Sequence, residues 1–128
     1  MHSFRRLSVW RKAHELTLRV YGIVDVVRGR HPALAAQLLR AAMSVPANIA
    51  EGSGRATRKQ FSQFLQIAIG SAREVEYFLQ LAVDLGAITS KDHAILEART
   101  DEITRMLIGL RKTVSGQRKK KQAPASEQ

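Results

Sequence analysis

The chain has no cysteine, so disulfide staples and thiolate chemistry are both excluded, and the reducing cytoplasm is the expected compartment. Aromatic residues make up only 5% of the chain, leaving few rings on which nucleobases could stack. Strand signals are nearly missing: there is no sustained apolar–polar alternation and no Asn-Gly hairpin turn. No apolar run approaches the roughly 20 residues needed to span a bilayer, so no membrane partner is expected. The start, MHSFRRLSVWRKAHEL, is basic but has no apolar core, and does not read as a secretory signal. Acidic residues are scarce as well. Against 11 Asp+Glu stand 21 Lys+Arg, for a formal net charge of +10.

What remains is an ordinary apolar content of 45% in 128 residues, enough for one domain with its own core. Its apolar residues recur at helical spacing in four segments. The first runs from about Ser8 to Arg28, with Trp10, Ala13, Leu16, Val20, Ile23, Val24 and Val27 on one side. Ser8 is its expected N-cap, and Gly29 with Pro32 its stop. The second runs from about Pro32 to Ala50 and keeps Leu34, Leu38, Ala41, Ala42, Val45 and Ile49 on one face through Pro46. An interior proline removes a backbone donor at roughly 3 kcal/mol. Because the periodicity continues past it, a kinked helix is expected, closed by Gly52 and Gly54. Thr57 opens the third segment with a capping-box partner at Gln60, Phe61 to Ala82 carry its apolar face, and Gly86 ends it. Thr89 or Ser90 caps the fourth, which extends to Val114.

Four helices of about 20 residues with short connections specify an all-α, antiparallel up-down four-helix bundle. The bundle is expected over residues 1–114 and a disordered basic tail over 115–128. On the third helix, Ile67, Phe78 and Leu81 widen the apolar stripe on one flank and Ile69 on the other, to an arc of roughly 240°. That surplus marks either a helix buried from several sides or an oligomer interface at Ile67, Phe78 and Leu81.

Catalytic constellations are hard to find. His93 and Glu97 lie one turn apart, but no third ligand at metal spacing joins them, so they read as a solvated helix face. Ser44 and Ser71 have no His–Asp partners nearby in sequence and no Gly-x-Ser-x-Gly elbow. Gly52-Ser-Gly-Arg55 lacks the spacing and the lysine of a phosphate-binding loop. No arginine after Arg55 is followed by a histidine at the spacing of the Arg-x(4–6)-His bundle ribonucleases. The expectation is a non-enzyme with no cofactor and no metal.

The second helix carries a polar strip instead. Arg40, Ser44, Asn48 and Glu51 fall within roughly 80° of one another. Ser44 and Asn48 are placed to satisfy the carbonyl that Pro46 leaves without a donor, and Glu51 to pair with Arg55 at i+4. A subunit interface or a ligand contact is the alternative role for this strip.

The basic residues form groups: Arg5, Arg6, Arg11 and Lys12 at the start; Arg55, Arg58 and Lys59 around the second turn; Arg111, Lys112, Arg118, Lys119, Lys120 and Lys121 at the end. In an up-down bundle all of them approach one end. Such a convergence suits a polyanion bound through phosphate contacts, with steep salt dependence and weak sequence specificity.

Three blocks, FRRLSVWRKA from Phe4, RAAMSVPANIAEGSGR from Arg40, and Phe61-x-x-Phe-Leu-x-Ile-Ala-x-Gly-Ser-Ala-x-Glu-x-Glu76, resemble the bacterial four-helix bundle family named after the 23S rRNA intervening-sequence protein. The likeness covers about Phe4 to Leu110. It implies an antiparallel bundle assembled as a homopentamer with a basic surface or pore, and a nucleic-acid partner, RNA ahead of DNA. A related branch, the accessory protein of diversity-generating retroelements, implies a protein partner such as a reverse transcriptase. The family's central motif corresponds to Arg40, Asn48, Glu51, Gly52, Gly54 and Arg55, and its third-helix motif to Ser71 and Glu74. With Ser44 and Pro46, these are expected to serve fold and assembly; the family supplies no catalytic residues.

Overall fold

Apolar residues three and four apart, without sustained alternation, and well-placed caps make the described residues helical nearly throughout. A computed structural model describes residues 3–116. A 3-10 turn at Phe4–Arg6 leads into α1 (Ser8–Arg30), α2 (Pro32–Ser53), α3 (Arg58–Asp84) and α4 (Ser90–Ser115). Each helix packs on the next in sequence, and α1 closes the bundle against α4 through a lighter contact. Two ion pairs show the antiparallel sense of that seam: Lys12 with Glu102 at 3.4 Å, and Glu15 with Arg99 at 2.6 Å. Leu16, Val20 and Val24 of α1, Leu38, Val45 and Ile49 of α2, Leu65, Val75 and Leu79 of α3, and Ile103 and Leu107 of α4 are fully buried between them. Among the described residues, no helix is long and apolar enough to cross a membrane.

The caps follow the sequence at three ends. Thr57 accepts from the Gln60 amide at 3.1 Å and Thr89 from the Asp92 amide at 3.0 Å. Beyond α3, Gly86 takes φ +72°, and the Gly86 and Ala87 amides return to the Val83 and Ala82 carbonyls at 3.0 and 2.8 Å. These paired bonds satisfy carbonyls that the helix end would otherwise leave bare.

Three expectations are corrected. Ser8 is not the N-cap of α1: Leu7 occupies that place, its amide already bonded to the Phe4 carbonyl at 2.9 Å by the preceding 3-10 turn. Of the stop expected from Gly29 with Pro32, only Pro32 takes part: α1 runs past Gly29 to Arg30, and the break falls at His31 (φ −135°, ψ 67°), because the residue before a proline is driven out of the helical region. Gly52 does not close α2 either. It lies buried inside the helix, which ends at Ser53 with Gly54 as its C-cap. At the far end α4 takes in Ser115, and Gly116 (φ +79°) follows it. Arg118, Lys119, Lys120, Lys121 and most of the expected tail lie outside the described residues.

Helix α2 continues through Pro46. Proline's missing N–H frees the carbonyl four residues back, at Ala42. Its replacement donor is neither Ser44 nor Asn48 but Thr17 of α1, whose hydroxyl lies 3.0 Å from the Ala42 carbonyl and 3.0 Å from its own Ala13 carbonyl. Asn48 bonds instead to the Ser44 carbonyl at 2.8 Å and the Ser44 hydroxyl at 3.0 Å. One buried hydroxyl on α1 therefore repairs α2 and pins the two helices in register.

Replacing Thr17 with valine keeps the shape and removes the donor, leaving the Ala42 carbonyl buried and unsatisfied. The expected loss is about 1–3 kcal/mol in urea unfolding. In a Pro46→Ala background, where the backbone donor returns, the same change should cost about 1 kcal/mol less. Equal losses in the two backgrounds would show that the cross-helix bond contributes nothing.

Candidate nucleic-acid interface

Which cations share an end of the bundle follows from residues that share a level. Glu15 pairs with Arg99, Thr17 reaches Ala42, and the Ser44 and Ser71 hydroxyls meet at 2.7 Å. Residues 15, 44, 71 and 99 thus form one layer across the four helices. At 1.5 Å per residue, Ser53, Lys59 and Arg111 lie about 14–18 Å from that layer in the same direction, and Arg55 follows Ser53 in the turn. Arg58 and Lys112 flank them. The 3-10 turn bearing Arg5 and Arg6 packs on α1 and α2 at this end. Arg11 and Lys12 sit nearer the middle, about one turn from the layer. The second turn, the 3-10 turn and the described end of α4 therefore lie toward one end, whereas Arg11 and Lys12, expected there too, do not reach it.

Local chemistry holds each group in place. The Ser3 hydroxyl accepts from the Arg5 amide at 3.3 Å, and the Arg5 guanidinium lies 4.6 Å from the centre of the Phe4 ring. Arg11 donates to the Arg5 carbonyl at 2.9 Å, which fixes its side chain while leaving its charge uncompensated. At the second turn, Arg55 pairs with Glu51 at 2.5 Å and stands 4.7 Å over the Phe64 ring. The turn is tight because Gly52 touches α3: a Cβ there would lie 2.7 Å from the Phe64 Cβ and 3.0 Å from the Phe61 ring. Arg111 and Lys112 are half-buried, and the Arg111 Nε has no hydrogen-bond partner.

The cations differ in how far they are already engaged. Lys12 is paired with Glu102 and Arg55 with Glu51. Among the described residues, the side chains of Arg6, Arg58, Lys59 and Lys112 form no ion pair or hydrogen bond, and Arg6, Arg58 and Lys59 are exposed. The opposite end carries charges of both signs, with Asp25, Asp84 and Asp92 beside Arg28, Arg30 and Lys91. One end of the bundle is thus nearly single-signed and the other is mixed.

Of the remaining expected residues, Ser44, Asn48 and Ser71 form a hydrogen-bonded group in the α2–α3 seam, with Ser71 buried. Pro46 is buried against α1 beside Thr17. Arg40 is exposed and donates to Gln37 at 2.6 Å; Glu74 is exposed on α3. Ile67 is 51% exposed, whereas Phe78, Leu81 and Ile69 are half-buried against the core. Among the described residues no three ligating side chains come together for a metal. His93 is not the solvated residue expected, since it is half-buried with an Nε2 that finds no partner. Sequence reasoning missed Phe64 as the ring beneath Arg55 and Glu102 as the acid facing Lys12. Arg55 and Phe64 lie nine apart across a turn, where helical periodicity carries no signal.

A family comparison matches residues 5–109 to the 23S rRNA-intervening sequence protein. The chain belongs to that family. Among solved structures it is similar to a protein of unknown function from the S23 ribosomal protein family of Bacteroides thetaiotaomicron VPI-5482. The two are 28% identical, with 81% of this chain and 98% of that one covered at a TM-score of 0.77. No curated protein matches the chain. The matched span takes in the Arg5–Lys12 group, the Gly52 corner and the Ser44–Ser71 seam.

Gly52 is where the corner of the candidate interface meets α3. A Gly52→Ala protein should lose about 1–3 kcal/mol in thermal or urea unfolding as the new methyl pushes on Phe64. An unchanged midpoint would mean that α3 moves aside freely.

Proposed function

We propose that this protein is a non-enzymatic, basic, homo-oligomeric bundle that binds nucleic acid, RNA ahead of DNA, mainly through phosphate contacts. The observation that carries this reading is the single-signed end, where Arg6, Arg58, Lys59 and Lys112 have no acidic partner. Cations of this kind release condensed counterions when they meet a phosphate backbone, which favours binding and makes it salt-dependent. Contacts to phosphate position a ligand without reading its sequence. RNA is placed first because the family's description refers to 23S rRNA. The absence of chemistry in the reading is supported by Ser44 and Ser71, whose hydroxyls bond each other and no histidine or carboxylate.

Self-association belongs to the same reading. Ile67 is a large apolar side chain left half in water on the longest helix, with Phe78 and Leu81 farther along the same flank. Burying such a flank against a second copy is the usual relief. Five copies are proposed, the number that the family resemblance implies.

A second reading, a protein-interaction scaffold or an accessory subunit, for example of a reverse transcriptase, is favoured by a different feature. An apolar cavity of about 420 Å³ opens at the end away from the cations, lined by His31, Pro32, Leu34, Gln37, Phe78 and Leu81. It suits an apolar anchor from a partner.

Fluorescence anisotropy of labelled structured RNA, duplex DNA and single strands at about 50 and 200 mM salt separates the two readings. Six or more phosphate contacts would cost at least about a thousandfold in affinity over that span. Reversing Arg58 and Lys59 together should flatten the salt slope by about two and leave the fold intact. If no nucleic acid binds at low salt, the phosphate reading is wrong and the scaffold stands.

Ile67→Glu is expected to yield smaller, soluble species in light scattering, since it places a charge in the proposed subunit contact. An unchanged mass would move the interface elsewhere.

A further inference from the structure

We propose that the groove between α1 and α2, beside the basic end, receives an unpaired base of single-stranded RNA. The inference rests on the nucleic-acid reading above and names the form of ligand it takes. Three rings form a ladder along this groove. Phe4 meets Trp10 edge-on with centroids 4.9 Å apart, and Trp10 lies parallel to His14 at 4.9 Å and 8°. Facing them across the groove are Met43, Pro46 and Ala47 of α2, and the groove, which is open to solvent, holds about 330 Å³. That is the lower end of the range for small-molecule pockets. It has room for one planar ring system.

The chemistry of the walls points the same way. The floor residue, Thr17, has its hydroxyl on the Ala42 and Ala13 carbonyls, so it offers no donor to an incoming group. Pro46 has no N–H to offer either. What the groove presents is apolar surface and aromatic faces, with His14 and Met43 open to water. A nucleobase matches this, because every base has a face that stacks on an aromatic ring. The mouth is cationic. Arg5 and Arg6 follow Phe4 in the 3-10 turn, and Arg11 follows Trp10 with its guanidinium held on the Arg5 carbonyl at 2.9 Å. A base seated in the groove would therefore carry its flanking phosphates into three positive charges. A duplex offers the same phosphates but keeps its base faces stacked inside, so the groove should favour single strands.

Trp10 is the chain's single tryptophan, so its emission reports on the groove alone. Titration with an unstructured oligoribonucleotide at low salt should quench that emission, with the same midpoint as anisotropy. An RNA duplex of equal length should bind by anisotropy and leave the emission unchanged. Ala47→Leu narrows the groove from an exposed position and keeps the reporter; it should weaken single-strand binding about tenfold and leave duplex binding as it was. His14→Ala, also at an exposed position, should act in the same direction. Single strands that bind without quenching, and with Ala47→Leu unaffected, would overturn the groove and leave the phosphate reading standing. Quenching by the deoxy strand but not by the ribo strand would overturn the RNA occupant. No binding of either form would overturn both.

Discussion

The donor that Pro46 lacks and Thr17 supplies is the contact on which much of this bundle's geometry depends. Inside a helix a proline leaves one carbonyl without a partner, and burial makes that carbonyl expensive to leave bare. Here the carbonyl belongs to Ala42, and the donor comes from a different helix. Because a hydrogen bond has a narrow range of length and angle, the contact sets how far α1 may slide along α2. The Ser44–Ser71 contact repeats the same function one seam over, and the Glu15–Arg99 pair does so where α1 meets α4. These three contacts sit in one layer and fix which residues meet at each end. The two hydroxyl contacts carry more weight than the ion pair, which is part-exposed and therefore worth little on its own.

Fixed levels are what turn a sequence with an excess of arginine and lysine into a bundle with a charged end. Sliding α3 by one turn along α2 would break the Ser44–Ser71 bond and press Phe64 off the Gly52 gap. It would also carry Arg58 and Lys59 about 5 Å along the axis from Arg111 and Lys112. The missing side chain at Gly52 lets α2 and α3 approach closely just where the chain reverses. This holds the turn against the α3 start and leaves Arg55 over the Phe64 ring.

Most of the fold was legible in the sequence because it rests on local signals. The Thr57 and Thr89 caps and the Gly86 stop depend on residues within one turn of each other, and all three are found where the pattern puts them. The misreadings share a cause. Ser8 is a good cap residue, but the 3-10 turn just before it had already placed Leu7 there. Gly29, a helix breaker by propensity, was expected to end α1 together with Pro32, yet only the steric demand of Pro32 on His31 does so. The Ala42 donor was sought among Ser44 and Asn48, on the same helix, and came from Thr17, twenty-five residues earlier in the chain. No periodicity points to a partner across a seam. Which helix ends meet was legible, since short connections dictate it; that Arg11 and Lys12 stay near the middle, and that Lys12 already faces Glu102, was not.

The origin of the field at the basic end can also be settled by counting helix ends. α1 and α3 begin there while α2 and α4 finish there. Two positive and two negative helix termini therefore face the same way, and their macrodipoles largely cancel. What is left is the charge on the side chains alone. That distinguishes this end from the anion sites built on a single helix N-terminus, where backbone amides grip one phosphate at fixed geometry. A field made by exposed arginine and lysine side chains is diffuse, reaches about 10 Å at 0.1 M salt, and accepts a polyanion in many registers. It attracts strongly and specifies little. On the proposed reading, discrimination among polyanions must come from a feature with shape, such as the ring-lined groove of Phe4, Trp10 and His14.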